Sequence, residues 1–288
     1  MQHGPLVRRR KLGAELRVLR TTAGITSGEA ARLVGWHQSK VSRIETGTSG
    51  AKPADVRLLL DAYAVADPQQ RDLLLALAGS DDDGGRQHWW HAYRGVLPPT
   101  YRDFISLESQ ASAMRTLETT VVPGLLQTPE YARAVTRAAV DGASEERLDT
   151  LVEVRLARQD VLRAGTRTPL RLNAVLDEAV LRREVGGPGV MARQLERLME
   201  AARLPHVRLQ VLPFSAGAHI GVTGPFVILS FLSTSELDVV VLDHLTSSLY
   251  LERKEDLEAY TDAFNACRKH ALSPDDTLDH LAATAAGA

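Results

Sequence analysis

Apolar residues recur at helical spacing through the first eighty positions, and then the rhythm changes. Leu12, Leu16 and Leu19 share one stripe that stops at Gly24, which predicts a helix over about 11–23. Thr26 and Glu29 stand three apart as a capping box, so a second helix opens at Thr26, with Ala30, Ala31 and Val34 as small apolar contacts. Gly35 supplies the turn, where a left-handed backbone is expected. A third helix follows over 38–46 with Val41 and Ile44 inward, leaving Gln38, Ser39, Ser42 and Arg43 outward and Lys40 at the edge. Pro53 opens a fourth helix, with Val56, Leu59, Leu60 and Tyr63 inward, and Asp67-Pro68 opens a fifth. Residues 8–79 therefore read as an all-α bundle of five helices.

The stretch 80–86 is acidic and glycine-bearing and reads as a linker. Beyond it, helical patterns cover 106–120, 129–140, 145–164, 191–203, 255–270 and 274–284. Between them lie β-rich runs at 170–176, 207–212, 226–231, 239–242 and 248–251. This mixture predicts a second domain over 87–282, α/β or α+β, with a sheet of roughly five strands covered by helices. The alanine-rich tail after His280 is expected to fray.

Charge sharpens this division. Residues 1–80 hold 12 Lys and Arg against 7 Asp and Glu, a surplus of five positive charges. The remainder holds 22 against 29, a surplus of seven negative. A basic head on an acidic body suits a nucleic-acid partner for the head. The single cysteine, Cys267, excludes an intramolecular disulfide and reads as a buried filler. No apolar run approaches the ~20 residues of a membrane span, and no apolar segment follows the basic cluster near the N-terminus. The expected location is the cytoplasm, at the nucleoid.

The outward set on the third helix combines short hydrogen-bonding side chains with one Arg, the equipment for reading base edges in a major groove. The basic residues 8–11 would serve as an arm on the phosphate backbone. Leu16-Arg17-x-x-Arg20, Gly24-Ile-Thr26, Ala31-x-x-Val34-Gly35 and the run Gln38-Ser-Lys-Val-Ser-Arg-Ile-Glu45-x-Gly47 resemble the Cro/phage-repressor (XRE) type of helix-turn-helix domain. The resemblance implies base contacts at Gln38, Ser39 and Arg43. It implies supporting or phosphate contacts at Thr26, Ser27, His37, Lys40, Ser42, Thr48 and Lys52. It also implies a structural ion pair between Arg20 and Glu45. Ser27 stands where that family usually has a phosphate-contacting Gln, and His37 where its helix cap is usually Ser or Thr.

In the second domain, Leu107-Glu-x-x-Ala111, Pro123-Gly-Leu-Leu-Gln-Thr128, Arg155-x-x-Arg158-Gln159 and Gln210-Val-Leu-Pro213-Phe-x-x-Gly217 are similar to the domain behind such heads in actinobacterial WhiJ-like regulators. That resemblance implies a regulator, described as antitoxin-like, with a small protein partner. Arg155, Arg158 and Gln159 fall at helical spacing on one face. They form, with Gln127, either an anion or metabolite pocket or a set of ion pairs fastening a helix to the sheet, and the fastening is preferred. His88 and His91 lack a third ligand, so no metal is expected. Asp177 and Glu178 adjoin at a strand end, pointing to opposite faces, and no nucleophile motif stands out. The sequence therefore reads as a non-enzymatic, cofactor-free transcriptional regulator. Its expected partners are a palindromic double-stranded operator, a second copy of itself, and a small ligand or partner protein.

Overall fold

Local signals at the N-terminal end set five helices in a computed structural model that describes residues 4–78, 89–93, 95–140, 142–165, 168–231 and 238–286. They are α1 (Gly4–Thr22), α2 (Ser27–Leu33), α3 (Gln38–Glu45), α4 (Pro53–Ala62) and α5 (Pro68–Ala78). The Thr26–Glu29 capping box closes in both directions, and Gly35 makes the α2–α3 turn with φ of 70°. Leu12, Leu16, Val41, Ile44, Val56, Leu59, Leu60 and Leu74 form the buried centre of this unit. Helix α1 starts at Gly4, before the predicted 11, so residues 8–11 belong to a helix and are not a separate arm. The linker 80–86 and His88 lie outside the described residues.

The described residues divide into two compact units, one ending at His91 and the other beginning at Ala92. In the second unit, helices α6 (Pro99–Gln110), α7 (Pro129–Ala139), α8 (Glu145–Ala157), α9 (Glu178–Arg182), α10 (Pro188–Ala202), α11 (Lys254–His270) and α12 (Pro274–Ala286) accompany one sheet. Its strands are β1 (Ala113–Glu118), β2 (Arg171–Asp177), β3 (Val207–Leu212), β4 (Phe226–Ser230), β5 (Val239–Asp243) and β6 (Ser248–Leu251), in the order β3-β2-β1-β4-β5-β6. Strands β1, β2 and β3 run parallel, joined by helical crossovers, while β4, β5 and β6 pair antiparallel. Leu117 marks the middle, opposite Val175 on β2 and Phe226 on β4. These three pack with Leu212, Ile228, Val240, Phe264 and Cys267 in a core that α11 closes. Phe226 meets Tyr260 of α11 edge to face, with ring centroids 5.0 Å apart.

Three predictions are corrected here. The expected helix over 106–120 is the end of α6 followed by β1, so the sheet has six strands where about five were expected. Leu107, Ala111 and Met114 imitate a helical stripe, yet Ala111 is extended (φ −65°, ψ 147°). Strand β1 lies between β2 and β4, and its short alternation, with Met114, Thr116 and Leu117 buried and Ala113, Arg115 and Glu118 less so, is masked by that stripe. The helix over 145–164 stops at Ala157 and tightens into a 3₁₀ turn, Arg158–Leu162, whose side chains are drawn to neighbouring elements. The tail after His280 does not fray: α12 continues to Ala286, with Leu281 and Thr284 buried.

Helix α12 also finishes the sheet. Strand β3 lies at one edge, where backbone groups would otherwise lack partners. Val211 N–H donates to Thr277 Oγ1 at 3.1 Å, and Leu272 N–H donates to Val211 O at 2.8 Å. Gln210 Nε2 donates to Leu272 O at 2.7 Å. Replacing Leu281 with Ala removes a fully buried side chain from this closure. The second unit should lose about 2–5 kcal/mol in urea denaturation, and a change within a few tenths would show the tail to be dispensable.

Candidate functional site

The support of α3 begins with one buried ion pair. Arg20 at the end of α1 donates through Nε to Glu45 Oε1 at 2.6 Å and through Nη2 to Glu45 Oε2 at 2.9 Å. Its Nη1 donates to Ile25 O at 2.7 Å, which adds the turn before α2. The bond to Glu45 holds the Arg20 guanidinium above its ordinary pKa despite its burial. Helix α1 then approaches so closely that a Cβ on Gly13 would stand 2.4 Å from Ile44 O and 2.6 Å from Glu45 O. Only glycine fits there, which sequence patterning gave no sign of.

With Val41, Ile44 and Glu45 buried, the opposite face of α3 is free. Gln38, Ser39, Ser42 and Arg43 are all exposed on it. Gln38 Nε2 donates to Ser27 Oγ at 3.0 Å, joining the first turns of α3 and α2. Thr26 is consumed in its capping box, its Oγ1 accepting from Glu29 N–H while Thr26 N–H donates to Glu29 Oε2. His37 takes the cap position of α3 with extended backbone and no side-chain cap bond. Thr48 and Lys52 are exposed in the loop after α3, and Thr48 Oγ1 lies 2.9 Å from Thr46 Oγ1. Arg9 on α1 reaches the same loop, its Nε 3.3 Å from where a Gly50 Cβ would stand.

Lys40 is otherwise engaged. Its Nζ donates to Asp55 Oδ1 of α4 at 2.9 Å and sits 3.6 Å from the centre of the Trp36 ring. Its charge is therefore partly spent within the head.

In the second unit the sequence-nominated polar set splits. Arg158 forms a two-pronged pair with Glu108 of α6, Nε to Oε1 at 2.8 Å and Nη2 to Oε2 at 2.7 Å, and its Nη1 donates to Tyr101 Oη at 2.7 Å. Gln159 Nε2 donates to Gly124 O and Gln127 O, and Gln127 Nε2 to Val122 O, clamping the loop that follows β1. Arg155 Nη1 donates to Gln127 Oε1 at 3.2 Å. Asp177 caps α9, and Glu178 accepts from Phe214 N–H and Arg182.

One residue missed by the sequence reading stands beside this set. Glu118 ends β1 and accepts from Thr116 Oγ1 at 2.9 Å. Burial pushes its carboxyl up from 4.5 to about 7, and nearby Asp243 adds to the rise, while Thr116 and Arg158 oppose it. Trp89 and Trp90 meet edge to face, with Trp90 buried.

Two consequences are measurable. Glu45→Gln leaves Arg20 buried without an acid and should cost about 3–5 kcal/mol in chemical denaturation, whereas exposed Ser39→Ala should change stability by no more than about 0.5. The folded chain keeps a proton on Glu118 that the unfolded chain has released above pH 4.5. The stability tied to that proton is full below 4.5 and is lost as pH rises through about 7. Glu118→Gln should flatten that part of the melting-temperature profile, and an unchanged slope would assign it to other groups.

Residues 11–74 match the family described as "Helix-turn-helix domain", and residues 101–283 match the one described as "Domain of unknown function (DUF5753)". Nothing among curated proteins or solved structures matches the chain. No helix among the described residues is long and apolar enough to cross a membrane. The larger match spans more than half of the 288 residues, so the chain belongs to the DUF5753 domain family and carries a helix-turn-helix DNA-binding domain ahead of it.

Proposed function

We propose that the chain is a sequence-specific, homodimeric transcriptional regulator. The observation that carries this reading is the bare polar face of α3, Gln38, Ser39, Ser42 and Arg43, on a helix whose other face is locked by Arg20 and Glu45. Gln pairs with adenine and Arg with guanine in the major groove, so Gln38 and Arg43, with Ser39, are the base readers. Ser27, His37, Ser42, Thr48, Lys52 and Arg9 flank them toward the phosphates. Lys40 acts by bracing α3 against α4.

One such helix reads too few base pairs for useful selectivity. Two copies on half-sites about 34 Å apart, or a multiple, supply the rest, which calls for a roughly palindromic operator. The second unit then dimerises and senses a signal, in the manner of XRE-type, WhiJ-like regulators of development or secondary metabolism. Its carboxylates Glu108 and Glu178 are occupied by arginine and backbone partners and Glu118 by Thr116, which supports a non-enzymatic role.

A second reading is an antitoxin-like protein that binds a small partner and represses its own operon. Exposed apolar residues of the second unit favour it: Phe214 at 59 %, Ile220 at 49 % and Val222 at 73 % exposure. Footprinting on the chain's own promoter separates the claims. A protected, roughly palindromic site should appear at modest salt, and none would overturn the regulator reading. Arg43→Ala should relax preference at one base position by about 1–3 kcal/mol. Arg9→Ala should weaken all sequences alike and lower the salt slope by about 1. Co-purification of the product of a short adjacent reading frame would favour the antitoxin-like reading.

A further inference from the structure

Arg155 and Arg158 stand three residues apart and meet opposite circumstances. Arg158 receives both oxygens of Glu108. Arg155 receives none: its protein hydrogen bond goes to the neutral amide oxygen of Gln127, and among the described residues no carboxylate pairs with it. It is nevertheless half-buried. Burial pulls its guanidinium below the ordinary pKa, neighbouring Tyr101 opposes this, and like-charged Arg158 adds to it. A guanidinium stays protonated in a protein, so the charge persists without a counter-charge.

The surroundings hold this group ready. Gln127 is 1 % exposed, and its own amide is anchored to Val122 O at 2.7 Å. Gln159 fastens the same loop twice, at Gly124 O and Gln127 O. That loop follows β1 at its carboxyl end, within the parallel half of the sheet, where open sheets receive their ligands. One of five guanidinium N–H groups is used by Gln127, and the remaining fork suits a planar or tetrahedral oxyanion.

We propose that Arg155 anchors a small oxyanion ligand, a carboxylate or a phosphate, at the carboxyl end of β1, with Gln127 and Tyr101 beside it. This gives the sensing role of the second unit a ligand class. It rests on that role, and its test uses no DNA, so the two can fail separately.

The full chain is titrated calorimetrically with sodium phosphate and, separately, with sodium succinate, in chloride buffer of matched ionic strength. Saturable binding of phosphate marks a phosphate ligand, and of succinate a carboxylate ligand. Arg155→Met should weaken that binding by at least about tenfold, and Arg155→Lys should weaken it less, because an ammonium keeps the charge but lacks the fork. Without anion, Arg155→Met should melt at or above the wild-type temperature, since it removes an uncompensated charge. The proposal is overturned if neither anion binds the wild type saturably, if Arg155→Met binds as well as the wild type, or if Arg155→Met melts well below it. Loss of anion binding with an intact footprint would remove the ligand and leave the DNA reading standing.

Discussion

A guanidinium taken out of water needs a carboxylate, and both units of the chain are arranged around that demand. In the head, Arg20 finds Glu45, and the pair fixes α3 against α1 and the turn before α2. In the second unit, Arg158 finds Glu108, which ties the turn after α8 to α6. Each pair makes two parallel bonds, the geometry that compensates best for lost hydration. Neither pair is a net source of much stability. Their effect is to make one arrangement of helices far better than its neighbours, because any shift strands a charge.

That same demand separates what the sequence discloses from what it conceals. Thr26 and Glu29 disclose a helix start because the cap is local, complete within four residues. Gly35 discloses a turn for the same reason. Arg20 and Glu45 lie 25 positions apart, and only a resemblance joined them. Strand β1 was concealed because its alternation is only six residues long and its apolar residues continue the helical stripe of α6. Gly13 was concealed because nothing in a helix announces what will press against it. Arg155 and Arg158 look alike in sequence, and their difference is decided by Glu108, some fifty residues earlier.

The consequences for function follow the same line. A recognition face is useful only if its backbone does not drift, and α3 is held at both ends: Gln38 to Ser27 at its start, Glu45 to Arg20 at its finish. Lys40, braced by Trp36 and Asp55, adds a third hold. The side chains left free are then those with nothing to do inside the head. In the second unit, Arg155 of α8 donates to the neutral amide of Gln127, and among the described residues no carboxylate pairs with it.

The edge of the sheet carries an implication for how the protein is made. Strand β3 is completed by backbone and side-chain partners from 272 and 277, so the second unit cannot close until those residues have been synthesised. The five helices of the head draw their buried core from residues 12–77, and domains fold as units, N-terminal first, while the ribosome is still at work. For the time it takes to translate some two hundred further residues, the nascent chain is a finished DNA-binding head trailing an open sheet. Any step that requires the closed second unit, the proposed pairing of two copies above all, must therefore wait until residues 272 and 277 have left the ribosome.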